Sequence, residues 1–286
     1  MSRRQNARSH GLGARVLTAL LLAGLLVPAV LYLPQLAWAY LMALLAALAA
    51  WEWGALSRLQ ATGRMIFGLV VFGVCAALIL AKPDWITGLN NGDYQAGGEI
   101  LVYGAAAVFW VLLAPIILKY GWRLARPLTG LPTGLLVIIP TWLAMVQLRT
   151  LGSTLFLAIL TCVFMADIAA YIVGSVMGRH KLAPQISPNK SLEGALASVL
   201  TVVFCGLVLL RHFHFDLLPT SLMTLMFAAF AVLGILGDML ESFFKRQAKL
   251  KDSGSLLPGH GGLLDRVDSL CATLPVFALL WFYLRY

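Results

Sequence analysis

Nine predominantly apolar stretches, at residues 16–33, 36–56, 65–81, 101–118, 129–148, 153–177, 192–210, 220–244 and 268–284, leave this chain little choice of fold. Each is close to the ~20 residues a helix needs to cross a bilayer. A chain spanning hydrocarbon must satisfy its backbone internally, so helices or a closed barrel are the only solutions. These stretches are too long for barrel strands. Charged residues make up 12% of the chain, against about 25% in a soluble domain. The expectation is an all-α polytopic integral membrane protein of about nine transmembrane helices. There is no internal repeat, low-complexity tract or dividing linker, so the chain reads as a single integral membrane domain over 1–286. Within it, 1–150 supply N-terminal membrane helices and 151–286 the catalytic helices with their motif loops.

The first apolar run follows Arg3, Arg4, Arg8 and Arg15. Ala37-Trp38-Ala39 imitates a signal-peptidase site, but the run is too long for an ordinary signal core and leads almost directly into another span. It reads as an uncleaved first helix. With the N-terminus cytoplasmic and nine spans, the C-terminus lies outside. That arrangement puts 17 of the 21 Lys and Arg residues inside, as the positive-inside rule requires. The outer side keeps Lys82, Arg149, Arg211 and Arg285. The net charge of +9 is therefore a topology signal spread over short loops, with no nucleic-acid-binding face. Cys75, Cys162, Cys205 and Cys271 all sit in apolar runs without metal or redox spacing and read as packing residues. His212 and His214 form a lone His-x-His pair with no further ligands near it in sequence.

The acidic residues are less evenly placed. Eight of twelve fall on the predicted inner face: Glu52, Asp167, Glu193, Asp238, Glu241, Asp252, Asp265 and Asp268. Two constellations account for most of them. In the first, Asp167, Tyr171, Gly174 and Gly178 recur at three- and four-residue spacing and share a helix face. The glycines suit close helix packing, whereas a carboxylate inside an apolar span is a functional candidate by default. Ser187-Pro188-Asn189-Lys190-Ser191 then reads as a turn entering the seventh helix, with Ser191 or Asn189 as its cap. Alternatively, Lys190 with the free N–H groups of that helix end makes an anion site.

In the second, Asp238 and Glu241 lie three residues apart near the inner end of the eighth helix, and Asp265 and Asp268 repeat the spacing where the ninth begins. Acidic residues at a helix start favour the macrodipole, so Asp268 has a partly structural reading. Asp238, set in Leu-Gly-Ile-Leu-Gly-Asp-Met-Leu, has none. Between the pairs come Lys245, Arg246, Lys249, Lys251 and Arg266, and the tract Gly259-His260-Gly261-Gly262, whose backbone can approach a ligand closely. Few hard oxygen ligands beside many cations suit Mg²⁺ shared with a polyphosphate. Attraction to anionic lipid headgroups would explain the lysines alone.

These residues resemble the phosphatidate cytidylyltransferases (CDP-diacylglycerol synthases). The signature is met by Ser242, Lys245-Arg246, Lys251-Asp252, Pro258, His260-Gly261-Gly262 and Asp265-Arg266-Val267-Asp268. The upstream pattern is met by Asp167-x-x-Ala-Tyr-x-x-Gly and by Ser187-Pro-x-Lys-Ser-x-Glu-Gly194. Ile168 and Ser175 stand where members usually carry a hydroxyl and a basic residue. The resemblance implies transfer of CMP from CTP to phosphatidic acid, giving CDP-diacylglycerol and pyrophosphate. It implies Mg²⁺ as cofactor, alone or with a second cation, and a homodimer in the bacterial cytoplasmic (inner) membrane with its site facing the cytoplasm. Carried onto this chain, Asp238 and Asp265 hold the metal. Lys251, Arg266 and His260 join them as catalytic groups. Asp167, Ser187, Lys190, Ser191, Lys245, Arg246, Gly261 and Gly262 bind substrate.

Two alternatives are distinguishable. A CTP-dependent polyprenol (dolichol-type) kinase would release CDP instead of pyrophosphate. A membrane transporter would show paired broken helices in two repeated halves, which the sequence lacks.

Overall fold

The computed structural model describes residues 20–87, 97–214, 218–257 and 261–285. In chain order the elements are α1 (Leu20–Tyr32), α2 (Gln35–Leu56), α3 (Ala61–Ala81), the short α4 (Pro83–Thr87), α5 (Glu99–Tyr120), α6 (Pro127–Thr150) and α7 (Ser153–Met177). A hairpin of β1 (Lys181–Ala183) and β2 (Ser187–Ser191) follows, then α8 (Leu192–His212), α9 (Thr220–Ala248) and α10 (Leu264–Arg285). Among the described residues, eight helices are long and apolar enough to cross a membrane, with α1 a shorter apolar helix before them. The protein is a polytopic, integral membrane helix bundle.

The expectation of an all-helical chain needs one correction. Residues 187–191, read as a turn, form a strand paired antiparallel with β1, in register Lys181 with Ser191 and Ala183 with Ser187. Pro188 supplies no amide to a ladder, and a two-stranded edge at the end of the bundle tolerates that. Two helices also run further than the apolar pattern suggested. α9 continues to Ala248 through Lys245 and Arg246, and α10 begins at Leu264, so Asp265 and Asp268 are both helical.

Over their most apolar stretch α2, α6 and α10 are 56%, 67% and 56% buried, against 22–33% for the other long helices. They form the interior, and the rest surround them. α2 packs on α3 and α6, α6 on α10, α10 on α9 and α5, α9 on α8, and α8 on α7. Close approach of α2 to α6 is made at Gly134, where an added Cβ would lie 2.6 Å from the Trp53 ring. The Trp53 indole donates to the Gly130 carbonyl at 2.8 Å. α5 widens into a π turn at Phe109–Leu113, just before Pro115. A proline there has no N–H and clashes with the carbonyl four residues back, and the wider turn accommodates both.

At the opposite end of α2 and α6, buried Arg149 closes the end of α1. Its guanidinium donates to the carbonyls of Val30 (2.8 Å) and Leu33 and to Gln35 Oε1 (3.2 Å). It also lies 5.2 Å from the centroid of the Trp38 ring. An arginine counted as a loop charge in the sequence is therefore a buried helix cap.

Candidate active site

The two motif stretches meet where α7, the hairpin, α9 and α10 come together. Close packing makes that possible. An added Cβ at Gly174 would lie 3.2 Å from Ser191 Oγ, and one at Gly194 would lie 2.7 Å from the Ala170 carbonyl. The glycines at helical spacing on α7 thus serve packing, which brings β2 and the start of α8 against them. Ser191 caps α8, its Oγ accepting from Gly194 N at 3.2 Å, and its own O–H stays available to donate. Glu193 in the first turn of α8 accepts from the N–H groups of Arg179 and His180, both at 3.2 Å, and pairs with His180 Nδ1 at 2.7 Å. This fixes the hairpin entry.

Lys190, carried on β2, reaches across to α9 and forms an ion pair with Asp238. Ser242 Oγ, one turn along, donates to the other Asp238 oxygen at 3.3 Å. Lys190 and Asp238 remain 22% and 34% exposed as side chains, so this pair is accessible. Across from it, Ser269 of α10 donates to Asp167 of α7 at 3.4 Å. Asp268 accepts from Ser269 N at 2.7 Å and lies within electrostatic reach of Asp238 and Asp167. Three carboxylates from three helices therefore face one region. Gly237 allows it, because a Cβ there would meet the Asp268 carbonyl.

The second carboxylate group is differently held. Asp265, in the first turn of α10, accepts from Gly262 N at 2.8 Å, from Ser253 N at 3.1 Å and from Lys245 Nζ at 2.7 Å. Lys245 also contacts Glu241 at 3.3 Å. Lys245 was expected to bind substrate phosphate. Only 14% exposed and paired with two carboxylates, it links α9 to α10 in this structure. Arg246, expected in the same role, donates its Nε–H to the Ile186 carbonyl at 3.3 Å and steadies the hairpin.

Gly261 takes φ +86, a left-handed value that glycine adopts without strain, and pairs with Leu257 through two backbone bonds. Gly262 approaches a carboxylate closely, but that carboxylate belongs to the protein. A Cβ there would meet Ser253 Oγ and both oxygens of Glu52. Lys251 and Arg266 lie exposed on the same side, and Ser187 is half-buried at the start of β2. His260 falls outside the described residues.

Glu52, expected on the inner face and given no role by the sequence, joins this corner. Fully buried at the end of α2, it accepts from Leu263 N (3.0 Å), Leu264 N (2.8 Å) and Ser253 Oγ (3.2 Å). It caps α10 from 211 positions away in sequence. The signal was present, since Glu52 is a carboxylate inside an apolar run, the argument already applied to Asp167 and Asp238.

A half-open apolar cavity runs from Asp167 and Ser269 between α7, α8, α9 and α10, past Gly206, Phe227 and Phe277. Asp167, within electrostatic reach of Lys190 and Asp238, thus borders a greasy slot. That geometry suits a ligand with an anionic head and an aliphatic body.

A family model described as the cytidylyltransferase family matches residues 13–284. Among curated relatives, a phosphatidate cytidylyltransferase of Pseudomonas aeruginosa is 37% identical over 278 residues, covering 93% of this chain and 96% of its own length. One from Haemophilus influenzae is 30% identical over 291 residues, covering 94% and 98%.

Proposed function

We propose that this chain, which belongs to the cytidylyltransferase family, transfers CMP from CTP to phosphatidic acid, yielding CDP-diacylglycerol and pyrophosphate. The observation that carries the proposal is the Lys190–Asp238 pair within electrostatic reach of Asp167, which itself lines an apolar cavity. CTP supplies the polyphosphate such a pair would bind, and phosphatidic acid has the head and body the cavity would accept.

The proposed reaction needs no protein nucleophile. A phosphate oxygen of phosphatidic acid attacks the α-phosphorus of CTP, and a new P–O–P bond forms. The bond from that phosphorus to the bridging oxygen of the β-phosphate breaks, and the electron pair leaves with pyrophosphate. Such a transfer depends on positioning and on offsetting charge. Lys190, released from Asp238 as anionic substrate enters, would meet the phosphates, with Lys251 and Arg266 exposed beside it. The hydroxyls of Ser187 and Ser191 would donate to phosphate oxygens. His260 is assigned to the leaving group on the strength of the family signature.

The donor chemistry fits Mg²⁺. Among the described residues no three His, Cys, Asp or Glu side chains gather as a metal group. Mg²⁺ commonly takes one or two carboxylates and completes its shell from substrate phosphates and water. Asp238 and Asp265 are the two we assign. Buried Glu241, on the same helix as Asp238, is occupied by its contact with Lys245. When bound, the ion supplies Lewis-acid neutralisation of the triphosphate.

The proposal extends to a single membrane domain and a homodimer in a bacterial cytoplasmic membrane, with nine spans and the site facing the cytoplasm. The bias of Lys and Arg towards one side supports that orientation. The deciding experiment gives purified protein CTP, phosphatidic acid and Mg²⁺. A CDP-lipid with one pyrophosphate per turnover is expected. Release of CDP with phosphorylation of a polyprenol would overturn the reading.

A further inference from the structure

Beside Gln247, in the last turn of α9, is a second cationic feature that the reaction above does not use. Arg58, Arg123 and Arg126 line an open cleft of about 500 Å³ together with Ala125 and Gln247. No carboxylate lines it, and among the described residues none of the three guanidinium groups has an acidic partner. A positive-inside bias asks only that cations lie on one side of the membrane. It does not ask that three arginines from two separate segments converge.

The backbone around the cleft is built for the purpose. Arg58 terminates α2 at φ 60, a left-handed position where helices usually place glycine. An arginine is kept there, and its guanidinium donates to the Gln247 carbonyl at the edge of the cleft. Gln247 also holds the opposite wall. Its Oε1 accepts from Leu124 N (2.9 Å) and Ala125 N (3.1 Å), and its Nε2 donates to the Trp122 carbonyl (2.6 Å). Arg126 is the N-cap of α6, which begins at Pro127 without a side-chain cap. The positive end of a 24-residue helix therefore adds to the three arginines. Guanidinium groups grip phosphate oxygens two at a time, which an isolated lysine cannot do.

The flanks identify the source of that phosphate. Tyr120, Trp122 and Leu128 are large, exposed and adjacent, Leu128 being 88% exposed. Aromatic rings with an aliphatic neighbour beside cations mark the headgroup level of a membrane. We propose that this cleft binds the phosphate of an anionic phospholipid headgroup, at a site separate from the carboxylate site and independent of the reaction proposed there. Gln247 lies two residues beyond Lys245, the brace to Asp265, so a lipid bound here would press on the turn that positions α10.

The test uses full-length protein purified in neutral detergent and titrated, by native mass spectrometry, with short-chain phosphatidylglycerol, short-chain phosphatidylcholine and inorganic phosphate. Phosphatidylglycerol is expected to bind saturably and phosphatidylcholine much more weakly. Each surface cation is worth about fivefold in affinity for anionic lipid, so the double variant R123Q/R126Q should bind phosphatidylglycerol about 25-fold more weakly. Arg58→Gly removes a guanidinium while relieving the left-handed backbone. It should melt no lower than the parent yet bind less lipid, which separates ligation from folding. Lys190→Met, at a residue that does not line the cleft, should leave this binding unchanged. Equal binding of both lipids, or undiminished binding by R123Q/R126Q, would overturn the site. Displacement of the lipid by inorganic phosphate at equal concentration would overturn the lipid assignment.

Discussion

The two lysine–carboxylate pairs of the candidate site have the same chemistry and different settings. Asp265 and its neighbour Glu52 are held by backbone N–H groups of the 253–264 segment, with Lys245 between α9 and α10. Among the described residues, Asp238 is held by two side chains, Lys190 and Ser242, each able to rotate away. Fixed backbone donors make a carboxylate part of the scaffold, because removing it strands several buried N–H groups at once. Side-chain partners leave it exchangeable. The difference leaves the Glu52–Asp265 corner locked to the motif loop and the Lys190–Asp238 corner exposed, which is where the proposed function places substrate.

The largest expected effect breaks the scaffold corner. Glu52→Ala leaves two buried amides and a serine hydroxyl without their acceptor, in a setting where breaking a buried charged network costs about 3–5 kcal/mol. Thermal melts in detergent should show a large loss, and activity should fall with it. An unchanged melting temperature would remove Glu52 from the scaffold.

Asp238→Asn is the opposite case. Turnover should drop about 10²–10³-fold, the usual loss for one transition-state partner, with a melting temperature close to the parent. Chelation of divalent cations should abolish turnover in the parent protein without unfolding it. Persistence of CDP-lipid formation in a chelator would exclude the Mg²⁺ assignment.

Asp265→Asn sharpens the comparison, since Asp265 carries both a scaffold role and a proposed metal role. Activity and melting temperature should both decline, whereas an Asp265 acting on metal alone would lose activity only. Gly262→Ala should cost about 1–3 kcal/mol of stability through overpacking against Ser253 and Glu52. Ser242→Ala is the smallest change. Losing a 3.3 Å bond to Asp238 should cost no more than about 1 kcal/mol, read as a modest rise in KM.

Much of this was legible in the chain. The apolar runs located the long helices, and Asp167, Lys190 and Asp238 stood out because charge in an apolar or helix-end setting is costly. The glycine tract announced a close approach of backbone, read as one to a ligand. What it approaches was not legible: Gly262 faces Glu52, a residue 210 positions earlier. Lys245 and Arg246 read as phosphate ligands because the sequence shows charge without its partner. Only packing revealed that the first braces Glu241 and Asp265 and the second holds the hairpin.

Sequence by itself determined the apolar spans and the family motifs, because hydropathy, helix length and residue spacing are local properties of the chain. Tertiary structure decided which charges are locked in place and which stay exposed. That distinction depends on whether a carboxylate meets fixed amides or mobile side chains, and such partners come together only when α2, β2, α9 and α10 pack.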